Sequence, residues 1–263
     1  MEIINSLDNN TLKKIKKLKQ KKYREEEKKF LAEGKKFLDF NYPTELIILK
    51  EGCENIEDIS TKLINFDCRK LVVNEKLFKE LSSQENSQGV IIVYPYCNSD
   101  ITNLQNNIII LDRIQDPGNL GTIIRVADAS GFKDIILTKG SVDCYNEKCV
   151  RSSMGSIFNM NIIYMEEETL LRYLKENNYK LHVTALESNS IEYTKMKLDN
   201  KNAIIFGSEG NGVSKTFLKS ANEIIIIPIY GSAESLNVAI ASGIILYKIK
   251  ELSLNKELKY GQI

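Results

Sequence analysis

Five short runs from residue 108 onward, at residues 108–111, 135–137, 181–184, 203–206 and 223–227, are dominated by isoleucine, leucine, valine and phenylalanine. A strand with one face in water alternates apolar and polar residues, whereas a strand covered on both faces reads as a nearly continuous aliphatic run. Between these runs lie segments of helical character at 121–130, 167–177 and 237–252. The alternation predicts a mostly parallel sheet with helices on its faces. Ahead of it, apolar runs at 45–49, 70–73 and 90–94, with a helix-like segment at 75–81, predict a smaller α/β layer. Residues 95–107 are polar and irregular, the composition of a boundary. The expected organisation is therefore a domain over 1–97, a linker over 98–107 and a second domain over 108–263.

A chain of 263 residues, 43% of them hydrophobic, can build two such cores. Its longest apolar stretches, 224–229 and 240–246, fall far short of the roughly 20 residues that span a bilayer. The opening MEIIN lacks the basic, apolar and small-residue succession of a secretion signal. A cytoplasmic protein without a membrane partner is expected. Five cysteines make an odd, irregular set in which only Cys144 and Cys149 are close, and the single histidine, His182, is distant from both. No metal site is expected from that spacing.

Net charge is only +1, but it is unevenly placed: between residues 11 and 36 there are twelve Lys or Arg against four Glu, so the remainder is acidic. Leu12, Ile15, Leu18 and Tyr23 recur at roughly helical spacing, predicting an amphipathic helix over 11–29 with a lysine-rich outer face. Lys13, Lys16, Lys17, Lys21 and Arg24 are the candidate RNA contacts on it. The bland alternative is an ordinary solvated face.

In open α/β sheets ligands gather beyond the carboxyl ends of strands, and three loops there carry unusual residues. Residues 112–125, DRIQDPGNLGTIIR, run from a strand through a Pro-Gly turn into a helix expected to begin near Gly121. Arg125 would then lie about one turn inside, near a helix N-terminus that favours anions; alternatively it forms a surface salt bridge to Asp112, Asp116 or Asp128. Residues 206–214, FGSEGNGVS, follow a strand and hold three glycines, yet match neither GxGxxG nor a P-loop. Residues 227–237, IPIYGSAESLN, leave a strand at a proline and enter a helix with Ser235 as the candidate cap.

In this order and spacing the three loops resemble the motif set of the SpoU/TrmH branch of the SPOUT RNA methyltransferases. The likeness covers residues 108–252 and includes the intervening VRSSMGS at 150–156. In the first half, KKYREEEKKFLAEG at 21–34 and SQG at 87–89 are similar to the L30e-like RNA-binding domain attached to many ribosomal RNA methyltransferases. Ala32 and Lys28 depart from it, where valine and glycine are more usual.

The resemblance implies an α/β fold class with an N-terminal L30e-like domain and a C-terminal SPOUT domain closed by a deep trefoil knot. It implies S-adenosylmethionine as cofactor, contacted by backbone at Gly207, Ile227, Ile229 and Leu236. Asn119, Arg125, Glu209, Ser235 and Asn237 would form the catalytic neighbourhood, in a homodimer with one subunit's Arg125 near the other's cofactor. The implied reaction is 2′-O-methylation of a structured RNA, ribosomal 23S RNA first. Transfer RNA is the second substrate class, and a noncatalytic L30e-like RNA-binding protein the alternative from another class. A guanidinium is a poor proton acceptor, so Arg125 is expected to hold phosphate while Glu209 or water takes the ribose proton.

Overall fold

The computed structural model describes residues 1–6 and 8–260; residue 7 and residues 261–263, the last three of the expected second domain, lie outside the described residues. The chain divides into two compact units, Met1–Cys97 with Asp143–Phe158, and Asn98–Val142 with Asn159–Ile263.

The first unit is built in the order β1 (Glu2–Ile4), α1 (Asn10–Lys17), α2 (Lys21–Glu27), β2 (Lys29–Glu33), β3 (Leu46–Lys50), α3 (Glu57–Leu63), β4 (Arg69–Val73), α4 (Glu75–Leu81) and β5 (Val90–Pro95). Its sheet has the order β1-β4-β3-β5-β2, with β5 antiparallel to both β3 and β2. Leu12, Ile15 and Leu18 pack with Leu31, Ile48, Leu71 and Phe78 in one buried cluster.

The single helix expected over 11–29 is two short helices. The reason is a buried arginine: Arg24 Nη1 donates to the carbonyls of Leu18 and Lys19, both at 2.8 Å, taking acceptors that a continuous helix would use. After α2, Lys28 adopts a left-handed conformation at φ +55°. That is a position where glycine is at ease and a lysine is not, which accounts for glycine being the more usual residue there; nothing in the structure explains the lysine.

The second unit runs β6 (Asn107–Asp112), α5 (Pro117–Ala129) and β7 (Asp134–Thr138). The chain then leaves it for the first unit, where it forms α6 (Glu147–Ser153). It returns through β8 (Asn161–Met165), α7 (Glu167–Glu176), β9 (Lys180–Thr184), β10 (Ile191–Glu192), β11 (Asn202–Gly207), α8 (Lys215–Ser220), β12 (Glu223–Ile226) and α9 (Val238–Tyr260). The strands form one parallel sheet in the order β10-β12-β9-β11-β6-β7-β8. Ile108, Ile109, Ile110, Leu111, Ile135, Ile136 and Leu137 are all fully buried, as continuous aliphatic strands require. The polar stretch before β6 is pinned down rather than loose: Gln105 N donates to Asp134, and the Tyr179 hydroxyl donates to Gln105 O. No described helix is long and apolar enough to cross a membrane.

The excursion of Asp143–Phe158 is held by a buried ion pair. Arg24 Nε and Nη2 donate to Asp143 Oδ2 at 2.9 and 2.6 Å, with the arginine 3% exposed. Around it the Tyr96 and Tyr145 rings stack at 3.9 Å, and Tyr145 lies 4.7 Å from Phe30. Gly155 at φ +93° lies so close against the Phe40 ring that a Cβ there would overlap it.

Candidate active site

The three loops singled out in the sequence leave the carboxyl ends of β6, β11 and β12, which are close together in the sheet. The first enters α5 four residues earlier than expected, at Pro117. Asp116 caps it by accepting from Asn119 N at 2.8 Å, the arrangement that a proline at the first helical position favours. Asn119 therefore belongs to the first turn of α5. Arg125 is eight residues beyond Pro117, more than two turns in, so the helix N-terminus gives it little support. It is exposed. The expected salt bridges do not form, because Asp112 pairs with Arg113 and Asp128 lies near Lys133; among the described residues Arg125 has no ion-pair partner.

The second loop turns tightly after β11. Gly212 N donates to Ser208 O at 2.9 Å, closing the turn with Glu209 at its outer edge. A side chain on Gly207 would meet Gly212 C at 2.2 Å and Val213 N at 2.3 Å. Glycine is needed there so that the loop backbone can fold back.

In the third loop the helix cap is Asn237, not Ser235. Its Oδ1 accepts from Ala239 N at 2.9 Å and from Ile240 N at 3.4 Å, while Ser235 stays exposed. Asn119 joins the three loops: its Nδ2 donates to Glu209 Oε1, and its Oδ1 accepts from Asn237 Nδ2 at 3.1 Å. With both ends of the Asn119 amide engaged, its orientation is fixed, and so is that of the Glu209 carboxylate it holds. Of the five expected catalytic residues the fold unites Asn119, Glu209 and Asn237, and leaves Ser235 and Arg125 outside this hydrogen-bonded set.

Ser235 instead lines a cavity of about 540 Å³ with Ile227, Ile229 and Leu236, closed on other sides by Thr184, Ile225 and Ile245. Its walls are largely aliphatic. Residues 229–236 belong to no helix or strand, and among the described residues their backbone groups make no hydrogen bond. A flat heteroaromatic ring with polar edges and an attached amino-acid chain suits such a site: apolar walls receive the ring and free amides and carbonyls meet its edges. S-adenosylmethionine fits that description.

The basic face differs from expectation in one member. Arg24 is buried and fully engaged with Asp143, Leu18 and Lys19, so it is corrected from an RNA contact to a structural residue. Lys13 pairs with Asp8, Lys16 with Glu80 and Lys21 with Glu25, all well exposed, and Lys17 lies 5.3 Å over the Tyr23 ring. Exposed pairs of this kind are weak and exchangeable, leaving these cations available to phosphate. Asp112, which the sequence offered only as a possible partner for Arg125, is a fully buried acceptor at the base of the site. Among the described residues no group of three or more His, Cys, Asp or Glu side chains could hold a metal ion.

The profile of the SpoU rRNA Methylase family matches residues 106–247, and that of the MRM3-like substrate binding domain matches residues 9–92. The chain is 32% identical to the 23S rRNA (guanosine(2553)-2′-O)-methyltransferase RlmP of Bacillus subtilis over 95% of this chain and 100% of that protein. Among solved structures it is similar to an AdoMet-bound rRNA methyltransferase from Sinorhizobium meliloti, with a TM-score of 0.84 and 30% identity over 95% of this chain and 98% of that one. The SpoU methyltransferase AviRb from Streptomyces viridochromogenes, at 23% identity, shares the fold with a TM-score of 0.84 over 94% of this chain and 98% of that one.

Proposed function

The chain belongs to the SpoU rRNA methylase family, and from that premise we propose that it is an S-adenosylmethionine-dependent enzyme methylating a ribose 2′-hydroxyl of 23S ribosomal RNA. The observation that carries this assignment is the hydrogen-bonded series Asn237–Asn119–Glu209, set where the chain emerges from an apolar cavity lined by Ile227, Ile229, Ser235 and Leu236. The full-length likeness to an rRNA enzyme and the substrate-binding profile over the first unit favour ribosomal RNA over transfer RNA.

When bound, S-adenosylmethionine supplies an electrophilic methyl group on a sulfonium. Ile227, Ile229 and Leu236 would hold it so that this methyl passes from sulfur to the ribose oxygen, which must in turn lose its proton. Glu209 is the acceptor we assign: its carboxylate is held at one oxygen by Asn119, which is held in turn by Asn237, leaving the other oxygen to take the proton. Much of the acceleration comes from that alignment. Ile227, Ile229 and Leu236 exclude water from the cofactor, and Gly207 lets the Glu209 loop close.

Arg125 holds the phosphate beside the target ribose. Six residues along α5 from Asn119, it is turned about 240° around the helix, away from the Asn119 face of its own chain. That placement supports a role for Arg125 at the site of a second copy. On α9, Ile240, Tyr247 and Leu254 recur every seven residues and are 55%, 55% and 45% exposed, an apolar stripe that suits homodimer packing beside α5. The same assignment carries a trefoil knot around the cofactor loops and a cytoplasmic location with the RNA.

Purified protein with methyl-labelled S-adenosylmethionine is expected to label 23S RNA from cells lacking its gene, with the label mapping to one 2′-O position. Label confined to transfer RNA would move the substrate class. No label on any RNA, with no cofactor binding by calorimetry, would leave only an RNA-binding protein.

A further inference from the structure

Asp112 and Arg113 close β6 with a hydrogen-bond array that the reaction as described does not use. Asp112 is fully buried, yet its carboxylate accepts four hydrogen bonds: from Arg113 Nε at 3.0 Å and Nη2 at 2.8 Å, from Thr138 Oγ1 at 2.9 Å, and from Ser214 N at 2.8 Å. Arg113 sits in the left-handed region at φ +56°, which side chains other than Gly, Asn and Asp seldom occupy. Its own amide donates to Thr138 Oγ1 at 3.0 Å, and its Nη2 reaches Gly212 O at 3.3 Å.

Two of these bonds go to the Glu209 loop, and they go to the same end of it. Gly212 O and Ser214 N flank Val213, and Gly212 N in turn closes the turn onto Ser208 O. The far end of the loop is fixed by β11, whose Gly207 pairs in register with Asp112 itself. The carboxylate of Glu209 therefore projects from a turn anchored at both ends on one residue pair. Asn119 holds only the tip of the Glu209 side chain, and an amide at the surface cannot by itself fix the backbone beneath.

The geometry points to Asp112 and Arg113 as positioning residues that clamp the Glu209 loop for proton removal, an inference that rests on the methyltransferase assignment above. Neither lines the cavity formed by Ile227, Ile229 and Leu236. A buried carboxylate is costly unless it is paired and hydrogen-bonded, and Arg113 pairs it while presenting its second edge to the loop. A guanidinium suits this role because its planar fork can meet a carboxylate and a carbonyl at once.

Removing either partner unpairs the other, and losing Arg113 leaves the fully buried Asp112 carboxylate without its cation, so the test uses Arg113 variants shown to be folded by circular dichroism, with Arg113→Lys keeping the charge. In Arg113→Asn the residue keeps tolerance for the left-handed backbone but loses the reach to Gly212. Two readouts are taken on the full chain: steady-state methyl transfer to RNA, and amide hydrogen exchange at Gly212 and Ser214 by NMR. The expected result is faster exchange at both amides and a kcat lowered about tenfold to a hundredfold, the range that a misplacement of about 1 Å produces. KM for RNA should hold, and Arg113→Lys should recover only part of kcat. Wild-type exchange at both amides would overturn the clamp. Faster exchange with wild-type kcat would overturn its part in the reaction. If the unmodified protein transfers no methyl to any RNA, the methyltransferase assignment fails, while exchange still decides whether the clamp exists.

Discussion

Removing the guanidinium of Arg24 separates a structural role from an RNA contact. In Arg24→Met, four hydrogen bonds disappear: two to Asp143 and one each to the carbonyls of Leu18 and Lys19. The larger effect is the carboxylate left behind, because Asp143 is only 8% exposed and would have no cation. Breaking a buried pair from one side costs about 3–5 kcal/mol. With a urea slope near 2 kcal/mol/M, a loss of about 4 kcal/mol lowers the midpoint by about 2 M. The chain has no tryptophan, so tyrosine fluorescence is the probe, and the stacked Tyr96 and Tyr145 lie in the affected unit. Arg24→Met combined with Asp143→Leu should recover much of the loss, since no uncompensated charge remains. Below the unfolding midpoint the salt dependence of RNA affinity should not change. A single-variant loss under about 1 kcal/mol would refute the buried-pair argument. So would a salt slope flattened by about 0.7–0.9 in a variant of full stability, which is what one lost phosphate contact produces.

Replacing Lys13, Lys16, Lys17 and Lys21 together by alanine is expected to flatten the slope of log RNA affinity against log salt by about two to four units, with cofactor affinity unchanged by calorimetry; an unaltered slope would leave these lysines as ordinary surface. Arg125→Ala should abolish methyl transfer while sparing cofactor binding, and Arg125→Lys should rescue poorly; mixing Arg125→Ala with Asn119→Ala subunits should restore partial turnover, and failure to do so in proven heterodimers would count against a shared site. Glu147 has its pKa pushed up from 4.5, chiefly by burial and against the pull of Lys19. An acid raised in the folded state gives stability that is present below its unfolded pKa and lost as pH rises through the folded one. Glu147→Gln should therefore raise the melting temperature at pH 8 and much less at pH 4, and an equal gain at both would exclude Glu147 as the cause.

The second unit was legible in the sequence because its strands are buried on both faces: runs such as 108–111 and 203–206 have no other use in a chain this short. β8 escaped notice because its NIIYM is only partly buried and stands alone after a turn-rich stretch. The candidate site was legible as residue types but not as contacts. Asn119, Glu209 and Asn237 are separated by 90 and 118 residues from their partners, and no local pattern encodes their meeting. Local errors had nonlocal causes. The break after α1 arises from Arg24, whose fixed position depends on Asp143, 119 residues away. The start of α5 is marked locally, since Asp116-Pro117 is itself a helix-start signal. The burial of Asp112 has no local signature, because one acidic residue after an aliphatic strand looks the same whether covered or exposed.

The passage of Asp143–Phe158 out of the second unit and back has a consequence for synthesis. When residue 97 has left the ribosome, the first unit still lacks α6, the counter-ion of Arg24, and the tyrosine that covers Tyr96. It cannot finish until residue 158 has emerged, by which time β6, α5 and β7 are already outside the exit tunnel. The unit that would ordinarily mature first must wait for its own last segment, made only after the start of the second. Cutting the gene after residue 97 would therefore release a fragment missing one wall, prone to self-association. Supplying residues 143–158 as a separate peptide should restore it.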